Sequence, residues 1–250
     1  MKPIIIIGSG LAGYTLLREL RRLDRLTPVV ILTRDEGGFY YKPLLADALT
    51  HKRSAEALRV ASAAHMERQF QAEIITHTQV VAIDPANRRV LTTSRSLDYF
   101  KLVLAVGAQP VRPPLAGDAA MEVLTVNDMG GYELFRSAIR ERQRVAILGA
   151  GLVGCEFAND LRNVGYNVDV VEPSLWPLSR LLPEAAARPL RTALAQRGVG
   201  WHFGARALRL DRVDDHYRLT LSNGSRLEVD AVMAAAVKSG ADLLTSTLID

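Results

Sequence analysis

"AILGAGLVGCE", residues 146–156, runs from apolar residues into three glycines spaced G-x-G-x-x-G, and "IIIIGSGLAGY", residues 4–14, has already spelled the same pattern. A lone pattern of this kind carries little weight, because glycines also serve turns that bind nothing. Both copies here follow a strand-like apolar run and open a helix-like segment, which is the context a dinucleotide pyrophosphate requires. The first glycine permits the turn, the second lets the backbone approach the phosphates, and the third lets helix and strand pack closely. The helix N-terminus then favours the anion.

Working outward, Ile4 to Ile7 reads as a strand and Gly8 to Gly13 as a turn. Tyr14 to Leu23 reads as a helix with Leu16, Leu17, Leu20 and Leu23 on one face, and Val29 to Leu32 as a second strand. Val145 to Leu148, Gly149 to Gly154, Cys155 to Val164 closed by Gly165, and Asn167 to Val171 repeat that βαβ unit. Short strands follow each unit. Ile74 to Ile75, Val80 to Ile83, Arg89 to Thr93 and Leu102 to Val106 read as one antiparallel meander around the Asp84-Pro85-Ala86-Asn87 turn. Arg218 to Leu221 and Leu227 to Val229 read as another around Asn223-Gly224. "QPVRPPLAGDA", residues 109–119, reads as an extended connector. The expected fold is α/β, with two Rossmann-like, three-layer dinucleotide-binding domains at residues 1–114 and 115–236 and an atypical tail at 237–250.

Composition narrows the function classes. A chain of 250 residues with 48% hydrophobic and 23% charged residues is that of an ordinary globular protein, and its surplus of +4 is scattered rather than gathered. No nucleic-acid or membrane partner is expected. The run at Ile4 to Ile7 is too short for a signal peptide, and with one cysteine the cytoplasm is the default compartment. The five histidines show no metal-ligand spacing, so no metal site is expected. Trp176 and Trp201 read as packing residues. Arg18, Arg21, Arg22 and Arg25 recur at helical spacing, as a solvated face or a docking face for an acidic electron carrier.

Glu172 lies at the end of the second unit's second strand, where a carboxylate accepts a ribose 2′-OH and repels a 2′-phosphate; this favours NADH over NADPH. In the first unit Thr33 and Arg34 stand there, with Asp35 just beyond, so the acidic residue is displaced or replaced. Two dinucleotides in one chain point to hydride transfer from a nicotinamide to a flavin, with FAD in the first domain and NADH in the second. Cys155 cannot form a redox-active disulfide within these residues, so electrons are expected to leave the flavin directly for an external carrier. It reads as a small buried residue in a helix's first turn.

The chain resembles the FAD-dependent pyridine nucleotide reductases, and within them the branch that reduces rubredoxin. The resemblance rests on "IIIIGSGLAGY", "YYKPLLADA" (40–48), "IITHTQVVAIDP" (74–85), "LVLAVGAQP" (102–110), "GAGLVGCEFANDL" (149–161) and "GYNVDVVEP" (165–173), and runs from Met1 to about Val237. It implies that Gly8, Ser9, Gly10, Leu11, Ala12 and Gly13 wrap the FAD pyrophosphate. Thr33 and Arg34 would lie near the adenosine and Val80 near the adenine, with Ala105 and Gly107 completing the site. It implies Gly149, Gly151, Leu152, Val153, Gly154, Glu156 and Glu172 for NADH. It also implies Lys42, with Pro43 shaping its loop, near flavin N5, and Glu156 as the carboxylate reaching toward that lysine. Such a cation would stabilise negative charge on the reduced flavin. The implied activity is an NADH-dependent flavoprotein reductase passing electrons through FAD to rubredoxin, or a similar small acidic iron–sulfur carrier of ferredoxin type, in alkane hydroxylation.

The family pattern is abandoned at about Lys238, within "AVMAAAVKSGADLLTSTLID" (231–250). The family's T-x-x-x-x-x-[FY]-A-x-G-D stretch is not found in these 250 residues, so the FAD domain is expected to lack its return segment and the family's third domain is not expected within them. An inactive fragment that binds a dinucleotide only is therefore the alternative expectation.

Overall fold

The computed structural model describes residues 1–239. Of the atypical tail expected at 237–250, residues 240–250 lie outside the described residues. The chain divides into two compact units: Met1–Lys42 with Glu56–Gln109 and residues 238–239, and Pro43–Ala55 with Pro110–Val237.

In the first unit, β1 (Ile4–Ile7), α1 (Leu11–Leu23) and β2 (Val29–Leu32) form the first βαβ unit. β3 (Phe39–Tyr40) precedes α2 (Ala55–Leu58), a single turn, and pairs antiparallel with β4 (Arg59–Ala61). α3 (Ala63–Phe70) leads into β5 (Glu73–Ile75). β6 (Val80–Asp84), β7 (Arg89–Thr92) and β8 (Ser96–Asp98) form an antiparallel meander, and β9 (Lys101–Leu104) follows. The central sheet has the order β5-β2-β1-β9 and is parallel throughout.

Strand alternation explains the layers. Ile6 and Ile31 pack with Tyr14 and Leu17 of α1 and Met66 of α3, while Ile5, Val30 and Leu32 pack with Val90 and Tyr99 from the meander side. One face of the sheet is thus covered by helices and the other by strands, so both faces of β1 are apolar, as a buried parallel strand requires.

The second unit repeats the plan. β10 (Ala108–Pro110) leads to it, and β11 (Leu124–Thr125), α4 (Met129–Ile139), β12 (Arg144–Leu148), α5 (Leu152–Asn163), β13 (Asn167–Glu172), α6 (Glu184–Gln196) and β14 (Val199–Phe203) follow. β15 (Ala207–Val213), β16 (His216–Leu221) and β17 (Arg226–Val229) form the meander, and β18 (Ala231–Ala234) returns to the parallel sheet, whose order is β11-β18-β12-β13-β14. Val145 and Ile147 face Phe157, Leu161 and Phe135, whereas Ala146 and Leu148 face Leu210, Leu219 and Leu221. The expected α/β, three-layer dinucleotide-binding architecture is present in both units.

The expected meander of the first unit needs correction. Ile74–Ile75 and Leu102–Leu104 belong to the parallel sheet, beside β2 and β1; the meander is Val80–Asp84, Arg89–Thr92 and Ser96–Asp98. Both helices start three residues before the expected Tyr14 and Cys155, because the third glycine of each motif lies inside the first turn. Leu23 is 90% exposed at the end of α1, so it does not join Leu17 in the core. Both tryptophans pack as expected. Trp201 stacks on Phe203 with ring centroids 4.9 Å apart, and Trp176 Nε1 donates to the Leu182 carbonyl at 3.0 Å.

Candidate dinucleotide-binding sites

The two glycine loops have nearly the same geometry. Gly8 N donates to Leu32 O at 2.9 Å and Gly149 N to Val171 O at 2.8 Å; Tyr14 N to Gly10 O and Cys155 N to Gly151 O both span 3.0 Å. Gly8 (φ +116°) and Gly149 (φ +110°) hold a conformation that favours glycine. A Cβ on Gly13 would strike the Gly8 carbonyl, and one on Gly154 the Gly149 carbonyl, which is the close helix-to-loop packing asked of a third glycine.

The second glycines behave differently. A Cβ on Gly10 or Gly151 would meet no atom within 4 Å. No neighbour in the protein demands glycine there, and each faces the open space that a pyrophosphate would enter. Gly10 and Gly151 are the N-caps of α1 and α5, neither helix has a side-chain cap, and neither has an acidic residue in its first turn. By contrast, Ser62 caps α3 and Asp128 caps α4 through side-chain oxygens. First-turn amides without intrahelical partners are thus left available at the glycine-loop helices. Both loops fit a dinucleotide phosphate.

The strand ends differ. In the second unit Glu172 Oε2 accepts the Ala150 N–H at 2.7 Å and Oε1 the Ser174 N–H at 2.9 Å, fixing the carboxylate beside the loop. In the first unit Thr33 takes the matching position and is buried, with its Oγ1 2.8 Å from Ser9 Oγ. Asp35 supplies the displaced carboxylate: its Oδ1 accepts from Thr33 Oγ1 (2.7 Å), Gly37 N (2.9 Å) and Ser9 Oγ (3.2 Å). The acidic group is shifted two residues along the chain, and Ser9 and Thr33 bridge the gap.

The remaining expected residues are placed as follows. Leu11, Ala12 and Leu152 are exposed in the first turns, Val153 is half-buried, and Arg34 is exposed. Ala105 presents its carbonyl against Gly8, where a Cβ would strike it, and Gly107 (φ +70°) is an open turn. Val80 begins β6 and packs against the meander-side core. Lys42 and Pro43 open the 3₁₀ helix Lys42–Ala46, both exposed. Glu156 is exposed on α5, and partial desolvation raises its carboxyl above the usual range.

The arginine face of α1 is partly consumed within its own unit. Arg21 donates to the carbonyls of Phe70, Thr27, Asp24 and Gln71, while Arg18 and Arg22 pair with Glu19. Cys155 is buried, and burial together with the neighbouring carboxylates of Glu172 and Glu156 pushes its thiol up to about 11. Among the described residues no group of three or more His, Cys, Asp or Glu is arranged to hold a metal ion. No helix among them is long and apolar enough to cross a membrane.

One polar residue without a motif role stands out. Asp160, 1% exposed on α5, accepts Leu49 N at 3.0 Å, Thr50 N at 2.7 Å and the Thr50 hydroxyl at 2.5 Å. Sequence reasoning did not find it, since its donors lie 110 and 111 residues away.

Residues 2–246 match the pyridine nucleotide-disulphide oxidoreductase family. Over 236 residues the chain is 45% identical to a rubredoxin-NAD(+) reductase of Alcanivorax borkumensis, and over 243 residues it is 39% identical to one of Acinetobacter baylyi. Each alignment covers 94% of this chain and 62% of the relative. The chain therefore spans about three fifths of the length of the curated relatives it matches. In fold it is similar to the ferredoxin reductase for the CYP199A2 system of Rhodopseudomonas palustris, with a TM-score of 0.89 at 24% identity, covering 99% of this chain and 62% of that one. Family membership implies FAD and NADH as the two dinucleotides. On its sequence and on the paired glycine loops, the chain belongs to the pyridine nucleotide-disulphide oxidoreductase family.

Proposed function

We propose that the chain forms the FAD- and NADH-binding part of an NADH-dependent flavoprotein reductase whose acceptor is rubredoxin or a similar one-electron iron–sulfur carrier. The observation that carries the reading is the doubled loop: two uncapped helix N-termini, each behind a glycine whose missing Cβ faces open space. Rubredoxin as acceptor is supported by the names of the relatives at 45% and 39% identity. Residues 1–114 serve as the FAD domain and residues 115–236 as the NADH domain.

In this reading the amides of Leu11, Ala12 and Gly13 hold the FAD pyrophosphate, with Ser9, Thr33 and Asp35 shaping the wall beside it and Arg34, Val80, Ala105 and Gly107 lining the site. The amides of Leu152, Val153 and Gly154 hold that of NADH, and Glu172 receives its ribose hydroxyls. FAD supplies the chemistry that converts one hydride from NADH into two single electrons. Lys42 offers a cation to negative charge developing at the reaction centre. The overall balance is NADH plus two oxidised carriers giving NAD⁺, two reduced carriers and one proton.

The test is an anaerobic visible spectrum of the purified chain with added FAD, before and after NADH and then rubredoxin. Flavin bands that stay with the protein on gel filtration, bleach with NADH and return with oxidised rubredoxin are expected. A protein that binds NADH but loses FAD would leave a dinucleotide-binding unit without turnover and overturn the reductase reading for these residues.

A further inference from the structure

Residues Pro43–Ala55 cluster with the NADH-type unit although the sequence on either side of them belongs to the other. The middle of this strap is embedded, with Leu45, Ala46 and Ala48 buried. Ala46 lies in the same core cluster as Cys155, Phe157 and Ala158 of α5, and Leu49 packs against it. Asp160 holds the strap's middle through the Leu49 and Thr50 amides and the Thr50 hydroxyl. Asn163 Nδ2 adds a bond to Thr50 Oγ1 at 3.1 Å. At the far end the Arg53 carbonyl accepts from Tyr132 Oη at 3.2 Å and Arg136 Nη1 at 3.1 Å.

A buried carboxylate is costly unless its oxygens are satisfied, and a helix has no intrinsic need of aspartate at a core position. Among the described residues the strap supplies the donors to the Asp160 carboxylate, so the strap explains the residue. The strap is in turn continuous with Lys42, because Lys42 and Ala46 share one 3₁₀ helix. Asp160 lies one turn after Glu156 and two turns into α5, whose first residues form the second glycine loop. One helix therefore carries the nucleotide loop at its start and the anchor of the Lys42 segment in its middle.

We propose that Asp160 is a positioning residue for the hydride-transfer reaction: by clamping Leu49 and Thr50 to α5 it fixes the 3₁₀ helix Lys42–Ala46 and with it the backbone of Lys42. This rests on the reading of Lys42 as the cation at the flavin. Asp160 touches neither cofactor in this account and acts only through the strap. Asp160→Asn keeps the shape but replaces one acceptor oxygen with a donor facing donors, and Thr50→Val, a milder variant, removes the hydroxyl's bonds to Asp160 and Asn163 while retaining the carboxylate and the two amide bonds.

The experiment uses the full chain and reads three quantities. Hydrogen exchange of the Leu49 and Thr50 amides in Asp160→Asn is expected to accelerate by about tenfold or more, since local opening is governed by these bonds. Acetylation of the Lys42 amine, followed by mass spectrometry without added FAD, is expected to change by about threefold or more while Lys2 and Lys101 stay constant, because an amine's reactivity follows its local environment. With FAD bound, Asp160→Asn and Lys42→Met should each slow flavin reduction by NADH, and the double variant should be no slower than Lys42→Met. Faster exchange with unchanged Lys42 labelling would overturn the proposal, as would additive slowing in the double variant. If Asp160→Asn does not fold, Thr50→Val is read by the same criteria, with Thr50→Ser expected to restore wild-type values. A Lys42→Met rate equal to wild type would sink the role of Lys42 at the flavin, while the labelling would still decide whether Asp160 sets residue 42.

Discussion

The carboxylate of Glu172 accepts the backbone amide of Ala150 at 2.7 Å, joining the end of β13 to the middle residue of the second glycine loop. With its other oxygen on Ser174 N, the side chain is aligned before any nucleotide arrives. A ribose 2′-OH can donate to such a carboxylate, whereas a 2′-phosphate is repelled by it. Glu172→Ala is expected to weaken NADH binding by about tenfold, the worth of a charge-assisted hydrogen bond. It should also narrow the preference over NADPH. Parallel fluorescence titrations with the two nucleotides check this, and an unchanged preference would remove Glu172 from the specificity role.

Gly8 and Gly10 separate loop geometry from ligand approach. Gly8 sits at φ +116° and a Cβ there would strike the Ala105 carbonyl, while a Cβ on Gly10 meets nothing within 4 Å. Gly8→Ala is expected to lose about 2–4 kcal/mol of stability from strain and overpacking. Gly10→Ala should leave the melting temperature nearly unchanged and lower FAD affinity. Thermal melts beside FAD titrations test the contrast. A Gly10→Ala protein that binds FAD as tightly as wild type would show that the open space beside Gly10 is not where the phosphates approach.

What was legible in the sequence follows from where the information lies. The two βαβ units could be read because their glycines are local requirements, met within eleven residues of chain. Ile74–Ile75 and Leu102–Leu104 could not be assigned to the parallel sheet by pattern, since three or four apolar residues suit either sheet type and only pairing with β2 and β1 decides. α6 is hard to read from sequence because Pro189 lies inside it, and α4 because two glycines stand near its start, both signals that usually mark breaks. The sequence leaves open whether the acidic residue of the first unit is displaced to Asp35 or replaced, because the link of Asp35 to Ser9 depends on the fold of the Thr33 turn. The strap held by Asp160 leaves no local trace, since its anchor lies 110 residues further on.

The pair Arg144–Asp230 ties the starts of β12 and β18 and gives the second unit an acid-sensitive link. Asp230 Oδ1 accepts from Arg144 Nη2 at 2.6 Å and Nε at 3.2 Å, and Oδ2 accepts the amides of Gln143 and Arg144 at 3.0 and 2.9 Å. Desolvation opposes the charged form, but the Arg144 guanidinium and the two amides outweigh it and bring Asp230 from 3.8 to about 2. A carboxyl depressed on folding stabilises the fold above its unfolded value and loses that contribution as pH falls through its folded value. Asp230→Asn should therefore cost about 1–2 kcal/mol at neutral pH, allowing for the partial exposure of Arg144. The gap from wild type should close between about pH 4 and pH 2. Urea melts across that range check it, and a gap independent of pH would assign the loss to shape rather than charge.

Cys155 stands at a helix N-terminus, a place that can lower a thiol pKa, yet burial and then the carboxylates of Glu172 and Glu156 push it up to about 11. Desolvation and two nearby negative charges outweigh the helix end, so at pH 8 only about one thiol in a thousand is ionised. Its Sγ–H points at the Ala150 carbonyl at 3.6 Å, inside the same loop that Glu172 holds. The native thiol is expected to react with a disulfide reagent about a hundredfold or more slower than after unfolding in urea, where both access and ordinary acidity return. Cys155→Ala, which leaves only a small void, should cost about 1 kcal/mol. It should also leave the rate of electron transfer from the NADH-reduced flavin to oxidised rubredoxin intact, because no electron passes through this sulfur on the proposed route. Thiol titration and rapid-mixing absorbance are the measurements. A folded Cys155→Ala protein whose NADH-reduced FAD no longer passes electrons to oxidised rubredoxin would place the thiol on the electron path and overturn direct transfer.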